Sequence, residues 1–285
     1  MQYYQQAFFN LKDKLLALYD EHESAAIAHE LLEYITGLTK IQRLVNKSDQ
    51  LSESQELLLS TSTAALLKGK PLQYVTGQCW FMGKLFAVNE HVLIPRPETE
   101  ELVQLIVNKN KNHTDALKIL DIGTGSGCIA IMLKMQLQNA CITACDISTR
   151  ALMMAAKNAS DLSAEVDFVC LDFLEPKNWT CLDKYDVLVS NPPYIPESQQ
   201  RMMHTNVKDY EPGLALFVLD NDPLLFYRTI AAFGKDHLAD KGTIYCEIEQ
   251  SYGEDCKKLF VTAGYSDVQV IKDMHMNDRM LFCSK

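Results

Sequence analysis

From Glu98 onward the chain switches repeatedly between apolar runs of strand length and segments of helix length, and this alternation constrains the fold more than any other feature. A helix is expected through Leu102 to Val107, then strands near residues 117, 141, 166, 185, 243, 267 and 279. Strands separated by helices argue a mostly parallel sheet covered on both faces. In such sheets ligands collect beyond the carboxyl ends of the strands. The residues with the most chemistry in this chain fall at those ends.

The run Leu117 to Ile122 breaks into Gly123-Thr124-Gly125-Ser126-Gly127 and resumes as Cys128 to Leu133, which reads as strand, glycine turn and helix. Glycines let backbone approach a ligand closely, and the following helix offers free N–H groups at its start. A nucleotide-like cofactor suits that turn. The spacing lacks the third glycine of the dinucleotide fingerprint, which weakens a nicotinamide reading. The next run, Cys141 to Cys145, ends in Asp146, 23 residues after Gly123. An acid there can bind both ribose hydroxyls; the alternative is an ordinary helix N-terminal acid before Ser148. Asp172 is expected to end the third strand, after Val166 to Leu171, with Phe173 placed to cover an adenine face. That third assignment is the least specific, because acids often follow strands.

Asn191-Pro192-Pro193-Tyr194 follows the apolar run Tyr185 to Ser190 directly. The prolines fix their own φ angles and extend the residue before them, so Asn191 is held stiffly at a strand end. Its amide and the Pro192 carbonyl become fixed acceptors, suited to receive both N–H bonds of a planar amide or amino group. The tetrapeptide therefore reads as an amino-group methylation site; alone, it also reads as a proline-stiffened turn. Two roles stay open for Tyr194, packing on the planar amide or walling the pocket.

Glycine turn, strand-end acid and Asn-Pro-Pro-Tyr, in that order, resemble the class I methyltransferases that use S-adenosylmethionine. Pro71 to Gly77, Val92 to Glu100, Asp121 to Gly127, Asn191 to Tyr194 and Tyr210-Glu211-Pro212 together are similar to the PrmC/HemK family, from about residue 8 to the C-terminus. The resemblance implies an α/β fold: a class I, Rossmann-like methyltransferase sheet with an N-terminal helical bundle and a connecting β-hairpin. It implies methyl transfer to the glutamine amide of the Gly-Gly-Gln motif of class I peptide chain release factors, in support of translation termination. Asn191, Pro192 and Tyr194 would be catalytic. Asp121, Gly123, Thr124, Gly125, Ser126, Gly127, Asp146, Asp172, Phe173 and Asn191 would hold S-adenosylmethionine. Asn191, Pro192, Pro193, Tyr194, Arg96 and Glu98 would meet the substrate, although an ion-pair role for Arg96, Glu98 and Glu100 is equally open. Two departures concern loops: Phe217-Val218, where the family carries paired glycines, and Glu249, where it carries one glycine.

Composition sets the remaining bounds. The net charge is −10 with no basic patch, which disfavours a direct nucleic-acid substrate. Nine scattered cysteines without a C-x-x-C pair, and no secretory segment over Met1 to Asn10, favour a reducing cytoplasm. No membrane span, metal site or oligomer is expected, and the partner is a protein. The chain is expected to divide into a helical substrate-recognition domain at 1–75, a hairpin linker at 76–95 and a methyltransferase domain at 96–285. In the first, Phe8, Leu11, Leu15 and Leu18 follow helical spacing, as do Ile27, Leu31, Ile35 and Leu38. Ser52 with Gln55 opens a further helix as a capping box, which Gly69 and Pro71 stop. The turn-rich stretch 196–222 is expected to be an active-site flap. Two competing functions remain, base methylation of nucleic acid and a noncatalytic adaptor acting through its helical domain.

Overall fold

The computed structural model describes residues 2–113 and 115–285. It forms two compact units, Met1–Gln78 with His204–Tyr210, and Cys79–Met203 with Glu211–Lys285. The first unit holds α1 (Tyr4–Leu15), α2 (Glu21–Thr36), α3 (Lys40–Val45), α4 (Glu53–Leu66) and α5 (Leu72–Thr76), and the inserted segment carries α9 (Thr205–Lys208). Leu11, Leu15, Leu31, Leu32, Ile35, Leu59 and Leu66 form its core. The stripe ends earlier than the spacing predicts. Leu18 lies beyond α1 and is 44% exposed, and Leu38 lies beyond α2. The capping box at α4 is present, with Gln55 N donating to Ser52 Oγ and Ser52 N donating to Gln55 Oε1. Thr39 and Gln42 form a second one that opens α3. Tyr210 ties the inserted segment down by donating its hydroxyl to the Lys68 carbonyl at 2.9 Å.

The second unit opens with a hairpin, β1 (Gln78–Phe81) and β2 (Lys84–Ala87), turning through Met82 and Gly83. The hairpin is more than a connector, because Phe81 and Phe86 pack edge to face, 5.9 Å apart, inside the core below α6 (Pro97–Asn110). The chain then runs β3 (Lys118–Ile122), α7 (Cys128–Gln136), β4 (Cys141–Asp146), α8 (Thr149–Asp161), β5 (Asp167–Cys170) and β6 (Tyr185–Ser190). A small excursion follows, in which β7 (Ile195–Pro196) pairs in parallel with β8 (Phe217–Val218), just after α10 (Gly213–Leu216). That pairing is the use this chain makes of Phe217-Val218. The unit closes with α11 (Leu225–His237), β9 (Leu238–Glu247), α12 (Gly253–Thr262), β10 (Ser266–Lys272) and β11 (Asp278–Ser284).

The seven-stranded sheet has the order β10-β11-β9-β6-β3-β4-β5. Every pairing is parallel except those of β11, which runs antiparallel to both neighbours. Strand alternation feeds two cores. Ile119, Val187, Val189, Tyr245 and Phe282 face α6 and α7; Leu120, Leu188, Ile244, Cys246 and Leu281 face α11 and α12. From β3 the chain works outward through β4 and β5, then returns to β6 on the other side. The topological switch point therefore lies between β3 and β6, where a ligand crevice forms in a doubly wound sheet.

Candidate functional site

A cavity of about 430 Å³ opens above the carboxyl ends of β3, β4 and β6, within the size range of ligand sites. The glycine turn forms its floor. Gly123 N and Thr124 N both donate to the Cys145 carbonyl, at 2.9 and 3.0 Å, so the turn is stitched to the end of β4. Gly125 N donates to Asp146 Oδ2 at 2.9 Å, and Ser148 N donates to Oδ1 at 2.8 Å. Gly125 has φ 54° and open space where a Cβ would sit. Gly127 has φ 81°, and a Cβ there would meet Ala155 Cβ and Ile131 Cδ1 at 3.0 Å. The first glycine keeps the cavity open; the second lets α7 pack on α8.

Asp121 has a different place from the rest of the turn. It is fully buried, does not line the cavity, and accepts the Thr124 hydroxyl on Oδ2 at 2.6 Å. Its Oδ1 makes no hydrogen bond among the described residues. Burial pushes its carboxyl up to about 7, against the pull of Thr124. Its work is to hold the turn from below. Asp146 does line the cavity, and burial raises its pKa while backbone N–H groups oppose the shift. Asp172 and Phe173 line the same cavity; Asp172 Oδ1 also accepts Leu174 N, and Phe173 packs against Trp179 and Phe233. Thr124 and Ser126 complete the wall on this side.

Across the switch point, Ser190 pairs in register with Ile122 and donates its hydroxyl to the Ile122 carbonyl at 2.7 Å. This fixes the start of Asn191-Pro192-Pro193, all three of which line the cavity. Asn191 Nδ2 donates to Thr99 Oγ1 at 3.1 Å, and Thr99 Oγ1 donates to Glu247 Oε2 at 2.6 Å. Tyr194 turns away from the cavity: its hydroxyl donates to Glu247 Oε1 at 3.4 Å and its ring packs on the α11 and α12 core. Glu247 is 1% exposed, and burial pushes its carboxyl up to about 7 although Thr99 and Arg279 pull it down.

Arg96 pairs with Glu211, whose Oε2 also accepts Ile94 N at 3.1 Å. The Ile94-Pro95-Arg96-Pro97 segment and the Glu211-Pro212 segment thus lock each other, and Pro95, Arg96 and Pro212 line the cavity. Pro97 sits in the first turn of α6, where its missing N–H is harmless. Glu98 is half-buried and does not line the cavity, and Glu100 accepts Met82 N, bracing the hairpin. Among the described residues of the stretch 196–222, Pro212, Leu214 and Ala215 reach the cavity. Glu249 caps the short turn that follows β9, accepting Ser251 N. Sequence reasoning missed Thr99, Glu247 and Asn158. Glu247 carried a signal, a carboxylate inside the apolar run Ile244 to Ile248. Asn158 carried none, yet its buried amide accepts Ala87 N and donates to the Ala87 and Ser126 carbonyls, bracing hairpin and glycine turn together.

Two family models match the chain, the Methyltransferase small domain over residues 99–245 and the PrmC N-terminal domain over residues 10–77. A protein of Bacteroides thetaiotaomicron named release factor glutamine methyltransferase is 42% identical over 275 residues, covering 96% of this chain and 98% of its own. One of the same name from Flavobacterium psychrophilum is 40% identical over 269 residues, 94% of each chain. Among solved structures, a methyltransferase from Pyrococcus furiosus superposes with a TM-score of 0.50 at 18% identity, over 79% of this chain and 98% of that one, a likeness of fold alone.

Proposed function

The chain belongs to the family of release factor glutamine methyltransferases, and we propose that it transfers a methyl group from S-adenosylmethionine to the glutamine amide of the Gly-Gly-Gln motif in class I release factors. One observation carries the reading: Asn191-Pro192-Pro193 lines the same cavity as the glycine turn and Asp146. An acceptor pair for a substrate amide and a cradle for a nucleoside share one crevice.

The cavity fits the cofactor by its donor set. Gly125 leaves open space where any side chain would intrude, Asp146 offers carboxylate lone pairs for ribose hydroxyls, and Phe173 offers an apolar wall for a base. The bound cofactor supplies an electrophilic methyl group on a sulfonium. Everything else is the work of this chain. A glutamine nitrogen is a poor nucleophile, because its lone pair is delocalised into the carbonyl. Holding it in line at near-attack distance contributes up to about 7–11 kcal/mol in the best intramolecular cases. Asn191 does the holding. Its Nδ2 is committed to Thr99, which leaves Oδ1 to accept from the substrate N–H, beside the Pro192 carbonyl. As the new bond forms, positive charge grows on the nitrogen, and two carbonyl dipoles stabilise it selectively. No general base is required, since a methylated amide cation gives its proton to water. Arg96, paired with Glu211, shapes this wall, whereas Glu98 stands outside the lining. We assign the helical unit to recognition of the protein substrate.

The test incubates the protein with methyl-labelled S-adenosylmethionine and a purified class I release factor, with RNA and DNA as parallel acceptors, and maps the label by peptide mass spectrometry. Label is expected on the glutamine of Gly-Gly-Gln, and Asn191→Ala should abolish most of it while cofactor affinity stays near wild type. Label on nucleic acid alone would overturn the substrate. Absence of label despite cofactor binding would restore the adaptor reading.

A further inference from the structure

We propose that Glu247 and Thr99 are positioning residues that fix which end of the Asn191 amide faces the cavity, and so make the site an acceptor of N–H groups. The inference rests on the methylation reading above and adds to it the origin of the site's polarity.

An asparagine amide is nearly symmetric in shape, and its two ends differ only in hydrogen-bond sign. In the wrong orientation Asn191 would present N–H groups to a substrate amide that itself brings N–H groups. Something must select the orientation, and the prolines fix only the backbone. The chain of bonds Asn191 Nδ2 to Thr99 Oγ1 to Glu247 Oε2, at 3.1 and 2.6 Å, does so. A carboxylate only accepts. Thr99 therefore gives its single proton to Glu247, its oxygen is left to accept, and the group it accepts from has to be the amide nitrogen. The Asn191 oxygen is then the end left for the cavity. Tyr194 reinforces the polarity by donating to the other carboxylate oxygen.

Strand alternation explains how Glu247 comes to stand there. It lies two residues after Tyr245 on β9, on the sheet face covered by α6, and Thr99 is in the first turn of α6. The groups around the carboxylate are of mixed sign. Glu98 on α6 repels its charge, Arg279 on β11 attracts it while bonded to Asp273, and Tyr227 on α11 donates to the Glu247 backbone carbonyl. With its carboxyl pushed up to about 7, Glu247 gains a proton as the pH falls through about 7. A protonated Glu247 can donate to Thr99, which frees the Thr99 proton for Asn191 and permits the flipped amide. The selection then lapses.

The experiment compares wild type with E247Q, T99V and T99S, measuring kcat at saturating cofactor, cofactor affinity by calorimetry, and the Asn191 side-chain amide by NMR in the protein without cofactor. E247Q and T99V should lose on the order of 10²-fold in kcat, the scale for removing one preorganised polar group from a reacting centre, with cofactor affinity close to wild type. T99S, which keeps the hydroxyl, should recover most of the rate. In wild type, kcat should decline below about pH 7 and the Asn191 amide resonance should move over the same range; both responses should vanish in E247Q. Wild-type kcat in E247Q and T99V would overturn the proposal, as would an Asn191 resonance that does not respond to pH. If E247Q fails to fold, T99V decides, because it exchanges a hydroxyl for a methyl of similar shape. Failure of wild type to methylate a release factor would refute the functional reading alone, since the NMR titration tests the positioning pair independently.

Discussion

Gly125 and Gly127 share a left-handed backbone but do different work, and alanine at each separates the two. A non-glycine residue held in that region costs roughly 1–2 kcal/mol. At Gly125, with φ 54° and open space around the added Cβ, nothing else opposes the methyl group within the folded chain. G125A should therefore lose only about 1–2 kcal/mol of stability. At Gly127 the same strain is joined by contacts of 3.0 Å to Ala155 Cβ and Ile131 Cδ1 and 3.3 Å to Ala155 Cα. Ile131 can move; Ala155, on α8 and fully buried, cannot without shifting the helix. Overpacking of this kind adds about 1–3 kcal/mol, for a total of about 2–5 kcal/mol in G127A. Cofactor binding should rank them in the opposite order relative to stability. The G125A methyl enters the open space that Gly125 leaves on the cavity wall, whereas Gly127 lies behind it and is absent from the lining. Differential scanning calorimetry with and without S-adenosylmethionine, together with titration calorimetry, reads both quantities. A G127A protein no less stable than G125A would refute the packing argument. A G125A protein with wild-type affinity would refute the placement of the cofactor over the turn.

E211A should destabilise the protein by about 2–3 kcal/mol, because it strands the buried Ile94 N–H and the partner charge of Arg96, the latter discounted for its one-third exposure; E211Q, which keeps an acceptor for Ile94, should lose less, and equal losses in urea unfolding would refute this division. Asp121 and Glu247 both have carboxyls raised to about 7 in the fold, so the folded protein holds protons that the unfolded chain releases. The stability they contribute is complete below their ordinary range and is lost as pH rises through about 7. The melting temperature of wild type should fall between pH 5 and 8 more steeply than that of D121N, and parallel curves would refute the assignment.

The sheet was legible in the sequence because its central strands β3 and β6 are buried on both faces and read as continuous apolar runs between helix-length segments. The glycine turn, Asp146, Asp172 and Asn191-Pro192-Pro193, which line the cavity, were legible for a related reason: proline, glycine and strand-end acids are local signals. What supports them was not. Asn158 sits 71 positions from Ala87 and Glu247 sits 148 from Thr99, so neither partnership leaves a mark within any sequence window. Tyr194 shows the limit from the other side. Adjacent to Pro193, it was expected to pack on the substrate amide or to wall the pocket, yet its hydroxyl goes to Glu247 and its ring packs on the α11 and α12 core. Leu18 and Leu38 kept helical spacing past the ends of their helices, where spacing alone cannot register that the backbone has left the helix.

The cost of Glu247 gives the arrangement its logic. A buried carboxylate whose ionisation is opposed by its surroundings weakens the fold at and above neutral pH, and a neutral glutamine of the same shape would avoid that penalty. Glutamine would also surrender the one property the site needs. Its amide can donate or accept toward Thr99, so the proton order along Glu247, Thr99 and Asn191 would no longer have a single solution. An ionised carboxylate admits only one order, and Asn191 Oδ1 then faces the cavity each time the chain folds. On this argument E247Q gains stability at pH 8 while losing turnover, a pairing of opposite signs that a purely structural residue does not produce.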